Sequence, residues 1–164
     1  SSDLRVRAVA AEEGSGVFVI CAKIEAEIAE LDGIPANRGY ILGCEEYLDE
    51  ENALVMLPAG YAMVTDLYDE SGNVIQEKWY DENGEQIEQG DKGYASIRKT
   101  FNSNGKAIRT EYLDLSDFPV ELKDGYAIVT NEYDSAGNVI YEAYYDVSGQ
   151  QIFLESKGYA VVRL

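Results

Sequence analysis

Hydrophobic and polar positions alternate along most of the chain. Ala62, Val64 and Tyr68 share one parity, as do Ala95, Ile97 and Phe101, and then Ala127, Val129 and Tyr133. A period of two puts every second side chain on the same face, so each run predicts a strand with one buried face. A second set follows each run: Ile75 with Trp79, Ile108 with Tyr112, Ile140 with Tyr144. A third, shorter piece carries Val55, Ile87, Val120 and Ile152, each six residues after the same polar position. No helical stripe fits these residues, and glycine recurs too often for helices of ordinary length.

The polar positions between the runs predict turns. Asp or Asn can hydrogen-bond the backbone two residues on, and a Gly three residues later supplies positive φ to close a bulged hairpin. Seven sites follow this rule: Asp49–Asn52, Asp69–Gly72, Asp81–Gly84, Asn102–Gly105, Asp114–Asp117, Asp134–Gly137 and Asp146–Gly149. Five of them therefore place a turn glycine, at Gly72, Gly84, Gly105, Gly137 and Gly149. The other two end in Asn52 and Asp117, the residue types that best tolerate positive φ without being glycine.

The turns recur. Their starts are 20, 12, 21, 12, 20 and 12 residues apart, and the "GYA" triplets at Gly60, Gly93, Gly125 and Gly158 are 33, 32 and 33 apart. The reading is a mainly β chain, an array of stacked β-hairpin repeats of about 33 residues, with a small N-terminal helical element. Units run 60–92, 93–124 and 125–157, with partial units at 45–59 and 158–164. The array occupies 40–164, and the N-terminal element 1–39. All 13 Tyr lie at or after Tyr40, whereas the first 39 residues hold one aromatic, Phe18. The boundary falls in "DGIPANRG", a loop by its Gly, Pro and Asn. Before it, Ile20, Cys21, Ile24, Ile28 and Leu31 form a helical stripe at 20–32 that Gly33 would stop. The same stretch also alternates from Phe18 to Ile28, which suits a strand, although its Ala, Glu and Lys favour helix.

Charge narrows the partners. There are 13 basic and 31 acidic residues, a net charge of −18. Such a surface repels nucleic acid and anionic membrane and suits neutral or cationic ligands. No apolar run is long enough to span a bilayer, so no membrane insertion is expected, and the polar surface predicts a monomer.

Candidate chemistry is sparse. The chain has no His and two Cys, Cys21 and Cys44, which removes the commonest general base and any Cys-based zinc site. The acidic residues follow the turns, and the EF-hand order of ligands is absent, so no metal and no cofactor is expected. Glu77 and Glu142, with Thr110 as their counterpart, are read as facing solvent or pairing across strands. The chain is not expected to be an enzyme. The aromatics remain. Trp79, Tyr112 and Tyr144, with Tyr80 and Tyr145 on the opposite face, recur at the ends of second strands and form the candidate ligand surface. Their alternative is hairpin packing, since aromatic cross-strand pairs stabilise sheets by about 0.2–1 kcal/mol each.

The segments "YDESGNVIQEKWYDENGEQI" at 68–87 and "YDSAGNVIYEAYYDVSGQQI" at 133–152 resemble the Tyr-Asp repeats of bacterial surface and secreted proteins. They are similar, more loosely, to the aromatic repeats of choline- and glucan-type cell-wall-binding modules. The resemblance covers roughly 45–164, with a unit longer than those families use and without their paired choline-caging aromatics. It implies an extracellular or cell-surface β-repeat protein, a fragment of a longer exported chain, used for attachment or display. Two functions follow: a module binding cell-wall or host glycan or a surface protein, or a spacer displaying another domain. Export also makes Cys21 and Cys44 a candidate disulfide, against two buried free thiols. Such a bond would stabilise by roughly 3 kcal/mol in the chain-entropy view.

Overall fold

The computed structural model describes residues 41–163. The N-terminal element, the helix expected at 20–32 and Cys21 lie outside the described residues. What is described is β-sheet and turns, with no helix among the described residues. The strands are β1 (Ile41–Glu46), β2 (Met63–Tyr68), β3 (Val74–Tyr80), β4 (Gln86–Ile87), β5 (Ser96–Phe101), β6 (Ala107–Leu113), β7 (Ile128–Tyr133), β8 (Val139–Tyr145) and β9 (Val161–Arg163). They form one antiparallel sheet in the order β1-β2-β3-β5-β6-β7-β8-β9, with β4 also on β3.

Three hairpins share one register. Val64 lies opposite Trp79, Ile97 opposite Tyr112, and Val129 opposite Tyr144. Each hairpin shifts register at the last residue of its first strand, Tyr68, Phe101 or Tyr133. The turns cause the shift. In all seven, the leading Asp or Asn Oδ1 accepts from the backbone N–H groups two and four residues later, at 2.8–3.0 Å. The fourth residue then has to take positive φ. Gly72, Gly84, Gly105, Gly137 and Gly149 lie between +71° and +85°, and Asn52 and Asp117 at +63° and +61°.

Neighbouring hairpins join edge to edge. Glu77 on β3 faces Ile97 on β5, and Thr110 on β6 faces Val129 on β7. The outer backbone groups of each second strand are thus satisfied by the next hairpin. After the second strand the chain turns and pairs back briefly, as β4 or as single bridges at Leu48–Leu54, Leu113–Pro119 and Tyr145–Gln151.

Ahead of each "GYA" triplet lies a further turn, which alternation alone reads only as a polar link. Gly60 N–H donates to Leu57 C=O at 2.9 Å while Leu57 N–H donates to Tyr61 C=O at 2.8 Å. Gly125 and Leu122 repeat this arrangement. Between Gln89 and Gly93 the turn holds one more residue, and Gly90 takes φ of +54° to fit it. This extra residue is why Gly60 to Gly93 spans 33 positions and Gly93 to Gly125 spans 32. Each turn delivers a Tyr and then an Ala to the sheet. Ala62, Ala95 and Ala127 are fully buried.

Candidate functional site

Residues directly opposite in an antiparallel ladder lie on the same face. One face therefore carries Val64, Asp66, Glu77, Trp79, Ile97, Lys99, Thr110, Tyr112, Val129, Asn131, Glu142 and Tyr144. Two rows cross it obliquely, stepping two residues along the strands from one hairpin to the next, one aromatic and one polar.

The aromatic row takes one ring from each of three second strands and one from each of three "GYA" triplets. Trp79, Tyr94, Tyr112, Tyr126, Tyr144 and Tyr159 follow one another with centroids 5.6, 5.1, 5.9, 5.1 and 6.4 Å apart. Their planes are tilted or edge-on, the geometry aromatic quadrupoles prefer. Tyr47 and Tyr61 form a separate pair at 5.8 Å. Trp79 is 5% exposed, Tyr144 2% and Tyr94 8%. Tyr112, Tyr126 and Tyr159 are half-buried. The structure thus brings Trp79, Tyr112 and Tyr144 into one row. What alternation does not reveal is that a Tyr from the next turn wedges between each of these rings and its successor. The fixed pitch of the "GYA" tyrosines was the available signal.

Tyr80 and Tyr145 sit on the opposite face. Tyr80 is buried in a cluster with Cys44 and Met63, flanked by Leu54. Thr65 Oγ1 donates to its hydroxyl oxygen at 3.4 Å, and Thr130 Oγ1 does the same for the half-buried Tyr145. Both residues pack in the sheet and do not form a second row with Trp79.

The polar row runs beside the aromatic one. Asp66 and Glu77 are direct cross-strand partners, as are Lys99 with Thr110 and Asn131 with Glu142. Glu77 and Glu142 do pair across strands, but their surroundings differ. Burial pushes the Asp66 carboxyl above the usual carboxylate range, although Tyr68 donates to its Oδ2 at 3.4 Å. Among the described residues, its Oδ1 is buried without a hydrogen-bond partner. Burial also raises Glu77, and the Asp66 charge adds to the effect, while Lys99 and Lys92 oppose it. Burial would raise Glu142 as well, but hydrogen bonds from Tyr144 and Lys157 outweigh it and hold this carboxyl below its ordinary value. Lys157 Nζ lies 3.1 Å from Glu142 Oε1 and 4.7 Å from the Tyr144 ring centroid, and Tyr159 donates to the same Oε1 at 3.2 Å.

No protein-family model, curated protein or solved structure matches the chain. The reading of the site therefore rests on its own geometry.

The turns add one more constellation, which spacing does not reveal. Asp117 occupies a turn position that Gly84 and Gly149 fill elsewhere. Its carboxylate reaches Lys78 Nζ at 3.0 Å, Ser96 Oγ at 3.2 Å and Gln76 Nε2 at 3.3 Å. Gln76 and Ser96 are buried. The cost of a non-glycine at positive φ is offset by a carboxylate that supplies their acceptor. At the other end of the sheet, Asn102, Lys106, Tyr133 and Ser135 line an open polar groove of about 270 Å³ between two neighbouring turns. Among the described residues, no group of three or more Cys, Asp or Glu side chains is placed to hold a metal ion.

Proposed function

We propose that this chain is a non-catalytic β-repeat module of an exported bacterial surface protein, and that it acts as a spacer displaying another domain. One observation carries the choice between spacer and ligand module: Trp79 and Tyr144, the centre of the candidate binding row, are only 5% and 2% exposed. A ring this buried cannot offer its face to a sugar, whereas it can hold one hairpin against the next. The shared hairpin register supports the repeat of about 33 residues, with units at 60–92, 93–124 and 125–157. The resemblance of its Tyr-Asp segments to bacterial surface repeats supports the location.

A glycan-binding role is the second reading. It is favoured by the half-buried Tyr112 and Tyr126, which lie beside the polar row and its Thr110 and Asn131. The acidic balance points that role toward a neutral or cationic polymer.

One experiment separates the two. Trp79→Ala and Tyr112→Ala are compared with wild type for thermal stability and for retention on a glycan array and on cell-wall preparations. The spacer reading expects lower stability in both variants and no retention of the wild type. Retention of the wild type that is lost in Tyr112→Ala, without loss of stability, would replace the spacer by the binding module.

A further inference from the structure

Two asparagines in this chain precede a glycine, Asn83 before Gly84 and Asn104 before Gly105. Glycine leaves an asparagine side chain most open to its own backbone, because no Cβ shields the next nitrogen. Both pairs form the third and fourth residues of an Asp- or Asn-led turn, and all four residues are exposed. The glycines take φ of +77° and +71° and donate to Asp81 C=O at 3.1 Å and Asn102 C=O at 3.0 Å. Backbone geometry therefore does not tell the two sites apart.

The residue that leads each turn does. Asp81 Oδ1 accepts from the Asn83 and Glu85 N–H groups, and Oδ2 accepts the Asn83 side-chain amide at 3.3 Å. This carboxyl is held below its usual range, chiefly by the Glu85 N–H, so a charged acceptor is in place at neutral pH. Asn102 Oδ1 makes the same two backbone contacts, with Asn104 and Lys106 at 3.0 Å. The other end of its side chain is an NH2 donor, so no acceptor remains for the Asn104 amide. Among the described residues, the Asn104 side chain has no hydrogen-bond partner. The charges differ in the same sense. Glu82 and Glu85 flank the first pair, and Ser103 and Lys106 the second. Lys106 lines one groove with Asn102 and Asn104 and makes no ion pair among the described residues. We propose that Asn104 is a site of spontaneous deamidation, and that Asn83 is the protected form of the same motif.

In this reaction the Gly105 N–H gives its proton to hydroxide or water, and the nitrogen attacks Asn104 Cγ. The N–Cγ bond forms, the Cγ–Nδ2 bond breaks, and Nδ2 takes up a proton and leaves as ammonia. One water opens the cyclic imide at either carbonyl, giving an aspartyl or isoaspartyl residue. The balance is one water consumed and one ammonia released, with no oxidant or reductant. Lys106 favours the negative charge that develops, whereas Asp81, Glu82 and Glu85 oppose it at the other site. Each glycine N–H must first leave its turn acceptor, a cost common to both. The product carboxylate lies in the groove that Lys106 lines. The isoaspartyl form also adds a main-chain carbon between the Asn104 and Lys106 N–H groups that Asn102 clamps, which loosens the tip of the β5–β6 hairpin.

Ageing the whole chain in neutral and mildly alkaline buffer, with peptide mapping by mass spectrometry, tests this. Conversion at Asn104 should run roughly tenfold faster than at Asn83, and faster still as pH rises. Asn102→Asp restores the acceptor and should slow Asn104 toward the Asn83 rate. Asp81→Asn removes it and should accelerate Asn83. Circular dichroism checks that each variant is folded. Should Asp81→Asn fail to fold, Asn102→Asp decides alone, because every other turn of this kind already leads with Asp. Equal rates at the two asparagines of the wild type overturn the proposal. So does an Asn104 that stays intact, or one whose rate Asn102→Asp leaves unchanged.

Discussion

Replacing Glu77 by Gln should stabilise this protein at neutral pH, although it removes a charge from an acidic surface residue of ordinary appearance. Glu77 faces Asp66 directly across the β2–β3 ladder. Like charges so placed destabilise a sheet by about 0.2–1 kcal/mol. Asp66 Oδ1 is also buried without a donor among the described residues, and a buried unsatisfied acceptor costs about 1–3 kcal/mol. Gln Nε2 can donate to it. Recovering part of both terms gives about 1 kcal/mol, or a melting midpoint about 2–4 °C higher for a chain of this size. The pH dependence follows. Both carboxyls are raised in the fold, chiefly by burial. Their contribution to stability is thus fully present below the unfolded pKa near 4 and is lost as pH rises through the raised folded values. Melting curves followed by circular dichroism between about pH 4 and pH 7 should fall more steeply with pH in the wild type than in Glu77→Gln. Glu142→Gln is the control of opposite sign. Glu142 is held low by Tyr144 and Lys157, so its stabilisation is present above the unfolded pKa and lost as pH falls. That variant should melt lower at neutral pH. If Glu77→Gln melts below the wild type at pH 7, or the two pH profiles run parallel, the account of this pair is wrong.

Trp79→Ala should cost about 3–5 kcal/mol in chemical denaturation, the range for a large buried aromatic, and a loss under about 1 kcal/mol would contradict the packing role of the row. Gly137→Val should destabilise more than Ala136→Val in the same melt, because Gly137 sits at φ +85° and a Cβ there meets Lys106 Cε at 3.2 Å. Equal midpoints for those two variants would overturn the turn assignment. Asp117→Ala should cost about 2–3 kcal/mol by stranding the buried Ser96 and Gln76, more than Glu82→Ala on a comparable turn, as equilibrium unfolding would show. Burial holds the Tyr126 and Tyr144 hydroxyls up to about 12. Their stabilisation is therefore present below the unfolded value near 10 and is lost above it, and spectrophotometric titration should show late phenolate formation coupled to alkaline unfolding.

The turns were legible because their chemistry is local. Asp69 and Gly72 need nothing beyond five consecutive residues to declare a reversal, and the same holds for Asn102 and Gly105. Strand alternation placed Trp79 and Tyr80 on opposite faces for the same reason. The edge-to-edge joining of hairpins, by contrast, depends on partners about twenty residues apart, and no local signal sets the β3–β5 register. The exposure of the aromatic row was not legible either. Whether Trp79 and Tyr144 are open or covered is decided by Tyr94, Tyr126 and Tyr159, which arrive through turns that alternation does not detect. The conflict between Asp66 and Glu77 was hidden likewise. Each looks like a solvated strand residue until the ladder sets one against the other. Asp117 was read as a tolerated substitute for glycine, and its link to Lys78, Ser96 and Gln76 shows only in three dimensions.

The turn from Gln89 to Gly93 holds one residue more than its counterpart from Leu57 to Gly60, yet both deliver a Tyr and a buried Ala to the same place in the sheet. Length at this corner is therefore uncoupled from the strands it connects. For protein engineering this marks a grafting point. A guest loop opened between Gly90 and Lys92 lengthens a segment that is already exposed and already variable, without slipping either flanking ladder. The Asp-led reversals offer no such freedom, since their carboxylates clamp backbone groups at a fixed separation. A display scaffold built from this chain would carry its cargo at the corners before the tyrosines and leave the aspartate corners alone.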